Sequence, residues 1–414
     1  MEKDFEAKLQ EYAELAVRQG VNIKKGQMLF LTAPITTAPF ARMVAKAAYE
    51  AGAKNVLTLY TDEKMARLKY EYAPLSVFEK MPAWQAEQRN SAAREGAAFL
   101  SILAENPSAF VGVPGEKLLA NAKAAHKGFK EFYDHMDAGK IQWSLVAHPS
   151  PEWARKVFPD AKDDAEAEAK LFDAILKTVR VSGDGGAVKR WEKHDRMLKA
   201  RGAKLNRMNL DYLHFENGIG TDLKVYLADG HIFKGGSDKT PNGRKYFPNM
   251  PTEEIFTMPH AGKTEGVVKS ALPLSYQGTL IENFSLTFHG GMVTEFSAEK
   301  GEEALARLLA TDEGSKRLGE VALVPYDSPI SNSGILFYNT LFDENASCHL
   351  ALGDCYPDTI EGGEKLSKRA LLSRGGNKSV NHVDFMIGTS DLSITGYDKA
   401  GKAHPIFRDG NFVL

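Results

Sequence analysis

The spacing of apolar residues changes near residue 200, and that change limits the architectures open to the chain. Before it, short β-rich runs alternate with stretches whose apolar residues recur at three and four. Met28 to Leu31 is a strand-sized run, Thr37 to Ala51 repeats at helical spacing, Gly52 stops it, and Asn55 to Tyr60 is β-rich again. The unit recurs through Ala97 to Leu103, Phe110 to Val113, a helix over 117–137 and the strand Ile141 to Val146. Strands alternating with helices on short connections predict a mostly parallel sheet covered on both faces. Phe5, Leu9, Tyr12, Ala13 and Ala16 mark an opening amphipathic helix that ends at Gly20. Asp163 to Arg180 is a helix with acids near its start and bases near its end, which suits the helix dipole.

Past about Asn206 the pattern becomes strands and turns. Leu223, Val225 and Leu227 alternate, Gly290-Gly291 joins Ser285–His289 to Met292–Phe296 as a tight hairpin, and Leu392–Ile394 answers Ala403–Phe407 across Asp398–Gly401. The expected fold is α/β: an N-terminal α/β domain with a mostly parallel sheet over 1–200, and a strand-rich α+β domain over 201–414. Gly183-Asp184-Gly185-Gly186 lacks the lysine and hydroxyl of a phosphate loop and reads as a flexible connection. The basic stretch from Lys189 to Arg201 is interrupted by Glu192 and Asp195, and reads as a solvated face or subunit contact.

Lys plus Arg number 52 and Asp plus Glu 54, so no positive field exists to hold nucleic acid or an anionic membrane. Cys348 and Cys355 are too few to staple a secreted scaffold and read as free thiols in a reducing compartment. The first twenty residues lack the apolar run of a signal peptide, and no window reaches membrane-spanning length. The expected compartment is the cytoplasm.

Residues with chemical potential concentrate in the second half. His382 and Asp384 stand two apart in a strand-like run and share one face, where imidazole nitrogen and carboxylate oxygen suit a divalent ion; taken alone, a surface or structural pair is the preferred reading. Glu344 and His349 approach from a loop and the strand after it, and an acidic turn beside a half-buried histidine is the plain alternative. Glu253 and Glu254 precede the run Ile255–Thr257, where one carboxylate can bind metal while the other moves protons, or both can be solvated. Glu320 opens the apolar run Val321 to Val324. Cys348 alternates away from His349, and Cys355 adjoins Tyr356, so both read as core thiols. With one of the Glu253-Glu254 pair left to move protons, these stretches offer four carboxylates and two histidines, an inventory that fits two divalent metals bridged by a carboxylate and a water.

The stretches Pro251-Thr252-Glu253-Glu254-Ile255-Phe256-Thr257, Gly319-Glu320-Val321-Ala322-Leu323-Val324, Glu344-Asn345-Ala346-Ser347-Cys348-His349-Leu350-Ala351 and His382-Val383-Asp384-Phe385-Met386-Ile387-Gly388, in that order, resemble the aminopeptidase T family. The resemblance extends over essentially the whole chain. It implies a dinuclear metallo-aminopeptidase, with Glu254, Glu320, Glu344, His349, His382 and Asp384 as ligands of two metal ions, Glu320 bridging, and Tyr356 at the active site. Zn, Co, Mn or Mg all suit such a donor set. The resemblance further implies peptide substrates with a free N-terminus and a homodimer that encloses the site. Glu253 is then the candidate general base, and Tyr356 the candidate donor to the oxyanion. The chain departs from the family's commonest form at His260 and at Cys348.

Three other functions stay open at this level. A two-metal phosphoesterase uses the same ligand types, with Lys365, Lys368 and Arg369 as the basic residues within reach. A nucleotide-binding module on the first half lacks a glycine-rich turn, since the first strand ends in Thr32-Ala33-Pro34-Ile35-Thr36-Thr37. An inactive metal-binding relative would keep the ligands and lose the turnover.

Overall fold

The strands Met28–Pro34, Asn55–Thr61, Ala98–Leu103 and Trp143–Ala147 run parallel, in the order second, first, third, fourth. In this computed structural model, which describes residues 2–104 and 106–414, they form the sheet of a first compact unit, 1–193 with 237–251. The expected α/β half is therefore present, with helices Ala38–Glu50, Glu63–Tyr72, Ala83–Arg94 and Asp164–Thr178 between and after the strands. Asp163 caps the last of these by accepting the Glu166 N–H at 2.8 Å. Two local expectations fail. Phe110 to Val113 is a turn, because Arg67 Nη1 takes the Ala109 and Val111 carbonyls, and Gly112 at φ +80° breaks any ladder. The glycine tract at 183–186 is tied down: the buried Glu11 carboxylate accepts the N–H groups of Ser182, Gly183 and Ala187, capping the helix Ala187–Met208.

The second unit, 194–236 with 252–414, contains two large antiparallel sheets and the small hairpin Leu274–Tyr276 with Thr279–Ile281. Eight strands make the larger one, which includes the expected hairpin Ser285–His289 with Met292–Ser297 and the closing pair Ser393–Asp398 with Ala403–Arg408. The smaller sheet runs, edge to edge, through His382–Met386, His349–Gly353, Leu318–Leu323, Ile255–Thr257 and Lys234–Gly235. One core joins the sheets: Leu213, Phe215, Leu223 and Val225 of the larger pack with Val321, Leu323, Leu350, Leu352 and Phe385 of the smaller. Because strand side chains alternate, the positions between those core residues face the other way, and they carry the polar groups. Both cysteines are buried thiols as expected; Cys348 lies in this core, and burial pushes its pKa up to about 12. Among the described residues, no helix is long and apolar enough to cross a membrane.

Candidate metal centre

Register assembles the site. Ala351 pairs with Glu320 on one side and Asp384 on the other, while Gly353 pairs with His382 and Ala322 with His349. On the middle strand, His349, Ala351 and Gly353 share the outward face, and the small residues leave room for the long side chains beside them. Glu320 lies inside its strand, not at the mouth where the sequence placed it. An extra residue at Gly319 shifts the register between Leu318 and Glu320, so Leu318 enters the core while Glu320 turns outward. Only glycine fits at that bulge, since a Cβ at position 319 would lie 2.1 Å from the Asp354 carbonyl oxygen.

Two overlapping groups of donor atoms result, Glu254 with Glu320 and His349, and Glu320 with His382 and Asp384, the atoms in each lying within 4.8 Å of one another. Glu320 belongs to both. His349 directs Nδ1 to the Ser347 carbonyl at 3.2 Å, leaving Nε2 3.3 Å from Glu254 Oε2. His382 directs Nδ1 to the Asp354 carbonyl at 2.8 Å, leaving Nε2 3.1 Å from Glu320 Oε2 and 3.3 Å from Asp384 Oδ1. A backbone acceptor on Nδ1 fixes the ring and leaves Nε2 as the atom able to bind a metal, the usual support for a histidine ligand.

These residues fit a metal on two observations. Tetrahedral bonds of about 2.0–2.1 Å give neighbouring ligand atoms a separation of roughly 3.3 Å, close to the nitrogen to oxygen distances found here. Asp384 Oδ1 is also buried without a hydrogen bond, with His382 Nε2 3.3 Å away, a pair of donor atoms that a metal ion between them would serve. The electrostatics agree. Burial and the nearby charges of Asp384 and Glu254 raise Glu320 above the usual carboxylate range, and burial, Glu254 and Asp384 raise Glu344 further. Burial disfavours charge on both imidazoles, yet the carboxylates outweigh it: Glu254 lifts His349 to about 10, and Asp384 with Glu320 lifts His382 to about 12.

The remaining expected residues border the donors. Glu344 begins the turn Glu344–Ala346, within electrostatic reach of Glu254, Asp384, His349 and Glu320, and outside the two donor groups. Glu253 is buried, at 3 % exposure, with Oε2 3.5 Å from His194 Nε2. Tyr356 sets its ring 4.7 Å from that of His382 at a tilt of 49°, and loss of water around the hydroxyl, then the charges of Glu320 and Asp384, push its pKa well up. His260 accepts the Gly262 N–H on Nδ1 and belongs to neither donor group.

Three neighbours escaped the sequence reading. Asn345 is fully buried, accepts the Glu253 N–H at 2.7 Å and donates to the Leu341 carbonyl at 3.0 Å. His194 donates from Nε2 to the Thr252 carbonyl at 2.8 Å, and Arg201 feels the charge of Glu253. A signal for the last two existed. His194, Leu198, Arg201 and Leu205 follow helical spacing on one face, and polar groups on an otherwise apolar stripe call for buried partners.

Comparison with known proteins adds the following. The profile of the thermophilic metalloprotease (M29) family matches residues 5–412. Aminopeptidase AmpS of Bacillus subtilis is 46% identical over 410 residues, 99% of each chain. Aminopeptidase T of Thermus thermophilus is 42% identical over 410 residues, again 99% of each chain. The solved structure of wild-type AmpT from Thermus thermophilus superposes with a TM-score of 0.92 at 42% identity, covering 99% of this chain and 100% of that one. A 2,5-dihydroxypyridine dioxygenase from Pseudomonas putida aligns over 99% of this chain and 96% of its own, with a TM-score of 0.52 at 12% identity, a likeness of fold alone.

Proposed function

The chain belongs to the thermophilic metalloprotease (M29) family, and from that premise we propose that it is a metal-dependent aminopeptidase releasing N-terminal residues from peptides at the donor cluster of the second unit. The observation that carries this reading is Glu320, shared between two groups of ligand-type atoms. Glu254, Glu320, Glu344 and Asp384 bring four negative charges, which two divalent cations neutralise when the imidazoles are neutral. Glu254 and His349 would hold one ion, His382 and Asp384 the other, with Glu320 between them and Glu344 completing the set. When bound, the ions supply Lewis acidity that lowers the pKa of a shared water and polarises the scissile carbonyl.

The chain's own groups supply the rest. Glu253 stands beside Glu254 and accepts the proton of the attacking water, then returns it to the leaving amine. Tyr356, at the rim beside His382, donates its hydroxyl hydrogen to the oxygen that becomes negative in the tetrahedral intermediate. A free substrate amino group finds carboxylates in the same cluster, which favours cleavage of the first peptide bond. The reading also includes a homodimer in the cytoplasm, supported by the resemblance and checked by light scattering and cell fractionation.

The test is hydrolysis of aminoacyl amides and N-blocked peptides by chelator-stripped protein, with and without Co²⁺, Zn²⁺, Mn²⁺ or Mg²⁺. Metal-restored cleavage that requires a free N-terminus is expected. Cleavage of aryl phosphates with no aminoacyl substrate turned over would overturn the reading.

A further inference from the structure

A cleft of about 500 Å³, counted with its open mouth, lies in the second unit and includes Asp384 in its wall. Asp384 thus faces both the cleft and the donor cluster. Met386 follows it two residues later on the same strand face, and Leu274, Leu280 and Leu336 continue the apolar lining. The lining contains no lysine or arginine, and its charged members, Asp343 and Asp384, are both acidic. One wall is held in an unusual conformation: Tyr338 has φ +54°, and the Asp343 carboxylate secures it by accepting the N–H groups of Phe337 at 2.8 Å and Asn339 at 2.9 Å. Positive φ at a tyrosine persists only where surrounding bonds impose it, and such places are common where a ligand must be gripped.

We propose that this cleft receives the side chain of the substrate's N-terminal residue and selects uncharged apolar side chains over acidic ones. The proposal rests on the aminopeptidase reading. A peptide whose first carbonyl reaches the donor cluster carries its first side chain on the carbon bonded to that carbonyl, and the cleft opens beside that cluster. Leu280 and Leu336 are half-buried and line it from outside the strand that bears Asp384, so they set its width without supplying donor atoms. The leucines and Met386 of the wall favour a leucyl or methionyl side chain, while an aspartyl or glutamyl one finds no lysine or arginine in the lining to pair with.

Metal-loaded wild-type protein and the variants Leu336→Trp, Leu280→Trp and Leu336→Ala are assayed on alanyl, leucyl, phenylalanyl, arginyl and glutamyl p-nitroanilides. Narrowing the cleft should lower the leucyl to alanyl ratio of kcat/KM by about tenfold or more, and Leu336→Ala should move preference toward phenylalanyl. Glutamyl should be the poorest substrate of the wild type. Metal content and Tm of each variant are measured alongside, and Leu336→Ala decides the matter if the tryptophan variants fail to fold. Unchanged substrate ratios in variants that still cleave, or a wild type that prefers glutamyl or arginyl, overturn the cleft assignment alone. A wild type that turns over none of the five overturns the aminopeptidase reading itself.

Discussion

Asn345 accepts the backbone N–H of Glu253 on its side-chain oxygen at 2.7 Å, tying the segment that carries Glu253 and Glu254 to the turn that carries Glu344. The bond is buried. Asn345→Ala leaves that N–H and the Leu341 carbonyl without their partner, a loss of about 1–3 kcal/mol. Metal affinity should fall about ten- to a hundredfold with it, as when other supports of metal ligands are removed. Thermal unfolding and metal titration check the pair of effects, and a variant with wild-type metal affinity would refute the link.

Glu320 stands between two donor groups, so its removal should differ in kind from the removal of any other ligand. Glu320→Ala is expected to empty both metal positions, whereas Glu254→Ala or Asp384→Ala should chiefly weaken one. Metal content after gel filtration in metal-free buffer gives the answer. Two ions retained by Glu320→Ala would remove it from the bridging role.

Glu253 should matter to turnover and not to metal. Glu253→Gln keeps the shape and the backbone bond to Asn345 while deleting the base, so kcat should drop about a hundred- to ten-thousandfold with metal content unchanged. Full activity in the loaded variant would assign the proton transfer elsewhere.

Gly235 tests the backbone beneath Glu254, a proposed ligand. A Cβ there would sit 2.4 Å from the Glu254 carbonyl oxygen and 3.2 Å from Ile255 Cα, so the Glu254 segment has to move to make room. Gly235→Ala should cost about 1–3 kcal/mol of stability, the range for overpacked sites, and should weaken metal binding as well. Normal stability and affinity together would show that the segment yields freely.

His148 gives the first unit a dependence on pH. Its ring lies 4.7 Å from that of Phe172 and 5.5 Å from that of Phe40, and loss of hydration lowers its pKa against the pull of the Pro149 carbonyl bond. With the folded pKa depressed, its contribution is fully present above the unfolded value near 6.5 and is lost as the pH falls through the folded one. His148→Gln should therefore lose less Tm than the wild type between pH 7.5 and pH 5. Equal losses would mean that His148 does not carry this sensitivity.

Local periodicity made much of this molecule legible. The alternation of strand and helix up to Thr178, the hairpin at Gly290-Gly291 and the shared face of His382 and Asp384 all follow from contacts within a few residues, which linear order specifies. The six residues proposed as ligands were found by resemblance and by residue type, and their separate motifs carried no distance between them. Sheet order and register supplied that. Glu254, at the entry to Ile255–Thr257, meets His349 across the intervening strand Leu318–Leu323, and Glu320 faces outward only because the bulge at Gly319 reverses the alternation that would group it with Leu318. Asn345, His194 and the cleft beside Asp384 were equally out of reach, because a buried hydrogen bond or a cavity exists only once distant segments pack, and pairing across long separations is decided by the whole core and not by its neighbours in sequence.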